Sequence, residues 1–224
     1  MPFTVPEQME SYKPLKETDI SEKTLKESGF RTVSRLNALR YLDFNVDRFL
    51  KRAKESGYYD NTIFVFFGDH NTAMDPFTFL EKDEYNLGLS VHHVPMFIHA
   101  PKYITPKIVN KQGGLVDLFA TTASVAKQDY VNYTLGKNLL DSTETNTASF
   151  LFKKIAGEPA VELLQNNYSY TRTLITHKTA LHSLKINELI DIQEQEPVVA
   201  KHMDSLTQAF YHSTNYLYYN NKKK

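Results

Sequence analysis

The run Thr62-Ile63-Phe64-Val65-Phe66-Phe67 constrains the fold of this chain more than any other feature. Its apolar residues are continuous rather than alternating, so a strand built from it needs cover on both faces. The run then breaks into Gly68-Asp69-His70, which sets a carboxylate and an imidazole side by side where a buried strand ends. A second run of the same kind lies in "VPMFIHAP" at 94–101, bounded by Pro95 and Pro101. Two such strands call for a layered arrangement with helices over the sheet.

Helices flank them in sequence. Val33, Leu36, Leu39, Leu42, Val46, Phe49, Leu50 and Ala53 recur at steps of three and four, which predicts a helix over 33–56 with Gly57 at its C-terminal cap. A second helix is expected over 113–127, with Leu115, Leu118, Phe119, Thr122 and Val125 on one side. Residues 71–90 read as a long loop, and Pro2, Pro6 and Pro14 keep the first thirty residues irregular. The order helix, strand, loop, strand, helix predicts an α/β domain with a mainly parallel sheet.

The pattern changes after residue 145. "SFLFKKI", "AVELLQ", "YSYTRTLIT" and "TALHSL" are short strand candidates, with turns at Asn166-Asn167 and His177-Lys178. They predict a small antiparallel meander. A closing helix is expected over 197–213, with Pro197 in its first turn and Val198, Val199, Met203, Leu206 and Phe210 inward. The expected organisation is therefore an α/β core over 1–145 and an antiparallel subdomain with a terminal helix over 146–224.

Composition serves mainly to exclude. The chain has no cysteine, which removes disulfides, thiolate metal sites and cysteine nucleophiles. Its 26 basic and 26 acidic residues balance, so there is no global electrostatic case for nucleic acid. No apolar run approaches the ~20 residues that span a bilayer, and the proline-punctuated start lacks a signal-peptide pattern. The expectation is a soluble chain without a transmembrane segment, its final lysines a solvated tail.

An oxygen donor beside an imidazole nitrogen makes half of a divalent metal site. In open α/β sheets, ligands bind outside the carboxyl ends of the strands, where Asp69 and His70 fall. Equally, an aspartate after a strand often caps a helix or shapes a turn. Spacing alone leaves both readings open.

The surrounding residues add a resemblance. "YYDNTIFVFFGDHN" resembles the metal-binding strand of the alkaline phosphatase and sulfatase superfamily, and most of all its lipoteichoic acid synthase, or phosphoglycerol transferase, branch. "PFTVPE" at 2–7, the helix segment "RYLDFNVDRFLKRAKESGYYDNT", "HHVPMFIHAP", "GGLVDLFATTASVA" with "YTLGKNLLD", and "TNYLYYNN" are similar to successive blocks of the same branch. The resemblance covers nearly the whole chain, and the 58–71 block is its most specific part. It implies an alkaline phosphatase-like fold in which Asp69 and His70 ligate a catalytic divalent metal. Mn²⁺ suits such a mixed oxygen and nitrogen donor set, with Mg²⁺ and Zn²⁺ as alternatives.

In that branch the nucleophile is a threonine in the N-terminal half of the catalytic domain, and a substrate-contacting histidine immediately precedes the "PFTVP"-like segment. Neither has a counterpart here, so the chain resembles the C-terminal half of the enzyme domain. Thr72 follows the Asp-His pair and does not match the nucleophile. Asn71, His92 and His93 are candidates for contacts to substrate or to the metal ligands. His92 and His93 would stand at the end of their strand away from Asp69, and His99 at the near end, if the two strands run parallel; for His99 a satisfied core histidine is the preferred reading over a contact to the metal ligands. Asp117 is expected to anchor its helix, and His177, His182, His202 and His212 to be structural or exposed.

The resemblance implies a parent enzyme that transfers phosphoglycerol from a phospholipid at the extracytoplasmic face of a bacterial membrane, through a covalent phospho-threonine. A sulfatase or phosphatase-type hydrolase on the same scaffold is the alternative. A non-catalytic half-domain is the reading from a different class, and the isolated chain is expected to be inactive.

Overall fold

A computed structural model describes residues 11–71, 86–185 and 189–221. The chain divides into two compact units, Met1–Lys102 and Tyr103–Lys224. The change in pattern near residue 145 falls inside the second.

The first unit holds α1 (Glu22–Glu27), α2 (Val33–Glu55), β1 (Phe64–Phe67) and β2 (Met96–His99). Thr32 caps α2, its side chain accepting from the Arg35 amide at 3.3 Å. Gly57 follows the helix at φ 78°, a conformation that glycine adopts without a Cβ penalty. One buried polar residue interrupts the apolar stripe of α2. Asn37 accepts from the Leu15 amide at 2.9 Å and donates to the Leu15 carbonyl at 2.8 Å, while Tyr12 donates to the Asn37 carbonyl at 3.0 Å. These bonds pin the segment before α1 along α2. Val33 and Ala53 are buried as expected, whereas Leu39, Leu42 and Phe49 remain exposed.

β1 and β2 pair antiparallel, from Phe64 opposite His99 to Phe67 opposite Met96. The mixed α/β class stands, but the parallel direction expected for these two strands is corrected. A continuous apolar run carries no information about strand direction, and the cover expected on both faces is incomplete, with Phe64 buried but Phe67 and Phe97 exposed. Phe64 is buried against Phe49 of α2, with ring centroids 5.7 Å apart, and Phe66 stacks on Phe97 at 4.9 Å.

In the second unit α3 (Leu118–Val125) is shorter than its periodicity suggests, and a 3-10 turn at Leu115–Asp117 leads into it. Its buried residues are Ala120, Thr121 and Val125, while Leu115 and Phe119 are exposed, so the inward side differs from the expected one. Asp117 anchors the region by accepting from the Gly114 amide at 2.8 Å and the Lys137 amide at 2.7 Å. Burial nonetheless pushes its carboxyl above the usual range.

The expected meander is present as β3 (Ser149–Ile155), β4 (Glu158–Gln165), β5 (Tyr168–Thr173) and β6 (Thr179–Ser183), paired in that order and antiparallel throughout. Asn166 and Asn167 both take positive φ, 51° and 64°, as a two-residue hairpin turn requires. Ala156 and Gly157 do the same between β3 and β4, at 50° and 85°. The sheet packs one face on α4 (Pro197–Asn220), which runs seven residues beyond the expected end at 213 because no helix breaker intervenes before Asn220-Asn221. Leu163, Tyr170, Leu181 and Met203 form the core there, with Val199, Leu206 and Phe210 packed against it and Val198 exposed. Asp204 of α4 accepts from Tyr170 and Arg172, each at 2.8 Å, which fixes the helix on the sheet. Burial and the neighbouring carboxylate push the Tyr170 phenol well above its ordinary range. Glu162 is fully buried but partnered, by Lys153 at 2.8 Å and the Ser169 hydroxyl at 2.5 Å, which offsets the cost of removing the charge from water.

Two outcomes follow for stability. A Cβ at Gly136 would stand 2.0 Å from the Val116 carbonyl oxygen, so Gly136→Ala should lower stability by about 1–3 kcal/mol in a thermal melt. Glu158 accepts from the amides of Thr176 at 2.6 Å and Ile175 at 2.7 Å, and the Thr176 amide foremost holds its carboxyl below the usual range. A depressed folded pKa contributes stability that is present above the unfolded value, about 4.3, and lost as pH falls through the folded one. Glu158→Gln should therefore flatten the acid limb of a stability-versus-pH curve below about pH 4.3.

Candidate functional site

The chain leaves β1 through a tight approach. The Gly68 amide donates to the Pro95 carbonyl at 3.0 Å, and a Cβ on Gly68 would stand 2.9 Å from the Val94 Cβ. Glycine here lets the segment before β2 close onto the end of β1. Three residues on, the Asn71 amide donates to the Val91 carbonyl at 2.8 Å. Asp69 and His70 lie between these two fastenings.

Their side chains turn toward each other rather than to opposite faces. Asp69 Oδ2 stands 3.7 Å from His70 Nε2, while Asp69 Oδ1 accepts from the His70 amide at 2.8 Å. Both are open to solvent, with side chains 83% and 70% exposed. His70 Nδ1 lies 3.3 Å from the Asn71 carbonyl. In the neutral tautomer with its proton on Nδ1 the imidazole presents a lone pair at Nε2 toward Asp69; protonated, it pairs with the carboxylate. Two metal bonds of about 2.0–2.2 Å reach across such a gap. The donor set and its spacing thus fit one divalent cation.

The antiparallel ladder relocates the other histidines. With Met96 opposite Phe67, the residues before β2 lie beside the residues after β1. His92 and His93, whose amides both donate to the Leu89 carbonyl at 2.9 Å, therefore belong to the Asp69 end, contrary to the placement expected from parallel strands. His92 is half-buried and His93 exposed. His99 sits at the opposite end, across from Phe64, hydrogen-bonded to Tyr59. It is a satisfied structural histidine, and its expected position near Asp69 is corrected.

Among the described residues no group of three or more His, Cys, Asp or Glu could hold a metal. Asp117 spends its oxygens on backbone amides. His182 bonds the Ile190 carbonyl at 3.0 Å, His202 faces Gln165 at 3.3 Å, and His177 occupies a turn at φ 56°. Thr72, the "PFTVPE" segment and most of the 71–90 loop lie outside the described residues. A bend after Gly68 that lets Asp69 and His70 converge was expected; the close approach of Val94 and Pro95 to it was not. Its signal was present in the sequence, a glycine wedged between an apolar run and two polar side chains.

The sulfatase family model matches residues 4–128. The chain belongs to the sulfatase family. It is 27% identical over 171 residues to a lipoteichoic acid synthase-like protein, YvgJ, of Bacillus subtilis (strain 168), a match covering 71% of this chain and 25% of that protein. It is 29% identical over 134 residues to lipoteichoic acid synthase 1 of the same organism, covering 55% of this chain and 20% of that one. The chain thus spans a quarter or less of these curated relatives. Among solved structures, that of Ps i-CgsB superposes with a TM-score of 0.63 at 16% identity, over 81% of this chain and 43% of the other. The phosphonate monoester hydrolase of Silicibacter pomeroyi does so with a TM-score of 0.53 at 17% identity, over 82% and 42%. At these identities the likeness concerns the fold, which is that of the sulfatases and alkaline phosphatases. The family is one of enzymes that transfer or hydrolyse phosphoryl or sulfuryl groups. No helix among the described residues is long and apolar enough to cross a membrane.

Gly68→Ala tests the sulfatase-family site geometry. The added methyl should push Val94 and Pro95 away, destabilise the first unit by about 1–3 kcal/mol, and shift the imidazole NMR signals of His92 and His93 with that of His70. Unchanged signals would show that the close approach does not position them.

Proposed function

We propose that this chain supplies part of the metal-holding end of a phosphoglycerol transferase of the lipoteichoic acid synthase type. The observation that carries the reading is the convergence of Asp69 Oδ2 and His70 Nε2 at 3.7 Å, open to solvent, at the end of β1. The kinship to lipoteichoic acid synthases covers most of the chain and supports a phosphorus-centred reaction.

In this reading Asp69 and His70 hold a divalent cation, Mn²⁺ by preference for a mixed oxygen and nitrogen set. When bound, that cation supplies Lewis acidity toward a phosphoryl oxygen and lowers the pKa of a nucleophile. The chain's own residues do the positioning. The Asn71 carbonyl, 3.3 Å from Nδ1, orients the His70 ring, and the amide that Asp69 engages orients the carboxylate. Gly68 admits the 91–95 segment, so that His92 and His93 border the same end and can donate to a substrate's phosphoryl oxygens. The nucleophile is a threonine outside this chain: its oxygen bonds to phosphorus as the bond to the diacylglycerol oxygen breaks and diacylglycerol leaves with a proton, and an acceptor hydroxyl then takes the phosphoglycerol group and frees the threonine. The donor is a phospholipid bearing phosphoglycerol, met at the extracytoplasmic membrane face.

The experiment is release of diacylglycerol from a phosphatidylglycerol analogue in the presence of Mn²⁺. The 224-residue chain alone should give none. Joined to a segment that supplies the threonine and the remaining ligands, it should turn over, and Asp69→Ala or His70→Ala should then slow it on the order of 10²–10³-fold. Turnover by the short chain alone, or a joined protein indifferent to Asp69→Ala, would sink the proposal. Turnover of a sulfate ester but not of phosphatidylglycerol would select the hydrolase reading instead.

A further inference from the structure

Two parts of the first unit lack cover in the same place. Along α2, Leu39, Leu42, Val46 and Phe49 follow at steps of three, four and three, the spacing of a helix seam. Leu39 and Leu42 are 52% and 60% exposed, Val46 is half-buried, and the Phe49 end of the stripe meets the sheet through Phe64. The lengths explain the mismatch. At ~1.5 Å per residue the 23 residues of α2 run about 35 Å, whereas the four residues of β1 run about 13 Å. The ladder has a matching deficit. β1 and β2 pair with each other alone, so among the described residues each keeps an outer edge without a neighbouring strand. Side chains alternate between the faces of a strand. Phe97, opposite Phe66, therefore stands on the Phe64 side and Phe67 on the other, and both remain exposed. A two-stranded ribbon is marginal by itself in water, and an open apolar edge is a template for a further strand.

We propose that the first unit docks a second polypeptide carrying the remainder of a sulfatase fold, by strand addition to the β1–β2 ladder and packing on the α2 stripe. An open edge takes an extended strand, and an apolar helix stripe takes a helix or a sheet face. The two together call for a folded α/β piece rather than a lipid or a small ligand. The solved relatives give its size: the match with Ps i-CgsB covers 81% of this chain but 43% of that one, which leaves more than half of that chain outside it. A second copy of this chain fits less well, because pairing two copies edge to edge leaves one edge of each ladder still open. The proposal rests on membership of the sulfatase family and not on the Asp69–His70 reading.

The 224-residue chain is co-expressed with a tagged N-terminal half of the catalytic domain of lipoteichoic acid synthase 1 of Bacillus subtilis, and the product is kept in EDTA. Neither metal nor turnover then enters the readout, so docking can succeed where the metal site fails, and the reverse. The two polypeptides should elute together at equal stoichiometry. Hydrogen exchange should slow at Phe64–Phe67 and Met96–His99 relative to the chain alone, and hardly change in β4 and β5. Leu39→Ser with Leu42→Ser, at exposed positions, should weaken association on the order of a hundredfold, while Val198→Ser, at an exposed position of α4, should leave it unchanged. In the chain alone, the β1 and β2 amides should exchange at least about tenfold faster than those of β4 and β5. Equal protection there would overturn the proposal whatever the partner half does. Failure to co-elute, unchanged exchange in β1 and β2, or association indifferent to the two leucines would overturn it as well. A dimer of the chain by itself that Leu39→Ser with Leu42→Ser abolishes would also do so, by assigning the stripe to a second copy.

Discussion

Four antiparallel residue pairs, from Phe64 with His99 to Phe67 with Met96, decide where each candidate residue of the first unit stands. The ladder carries the segment before β2 back along the segment after β1, and the Gly68–Pro95 and Asn71–Val91 bonds extend the pairing past the strands themselves. Asp69 and His70 are held in this extension. The missing side chain of Gly68 is as much a part of the arrangement as the hydrogen bonds, because any Cβ there would meet Val94 at 2.9 Å.

The division of the polar groups follows from the same ladder. His99, at the far end, is engaged by Tyr59 and packs near the Phe64 ring. His92 and His93, at the near end, join Asp69 and His70 beside solvent. A polar group with an internal partner stabilises the fold. Asp69 and His70, 3.7 Å apart and both open to solvent, add little to the fold as a surface pair.

Much of this was legible in the residues. The helix over Val33–Glu55, the four-stranded meander with its Asn166-Asn167 turn, and the core of α4 on Met203, Leu206 and Phe210 all follow from periodicity and turn chemistry. Strand direction did not. "TIFVFF" reads alike whichever way its neighbour runs, so His99 and the pair His92-His93 were expected at each other's ends. Buried polar roles were equally silent. Asn37 in the stripe of α2 and Glu162 within β4 look like interruptions until Leu15, Lys153 and Ser169 supply their partners from elsewhere in the chain. Asp69 and His70 could be singled out because they break a strong local pattern, which is the kind of inconsistency that functional sites leave in a sequence.

The most direct test of the account is a titration of the 224-residue chain with Mn²⁺, followed through the imidazole NMR signals of its eight histidines. Paramagnetic broadening falls off steeply with distance, so it reports where the ion sits even when binding is weak. The account predicts that His70 broadens first, that His92 and His93 follow, that His99, at the far end of the ladder, broadens least of the first unit's histidines, and that Asp69→Ala abolishes the preference. Broadening spread evenly over the histidines, or a His70 response that survives Asp69→Ala, would contradict it.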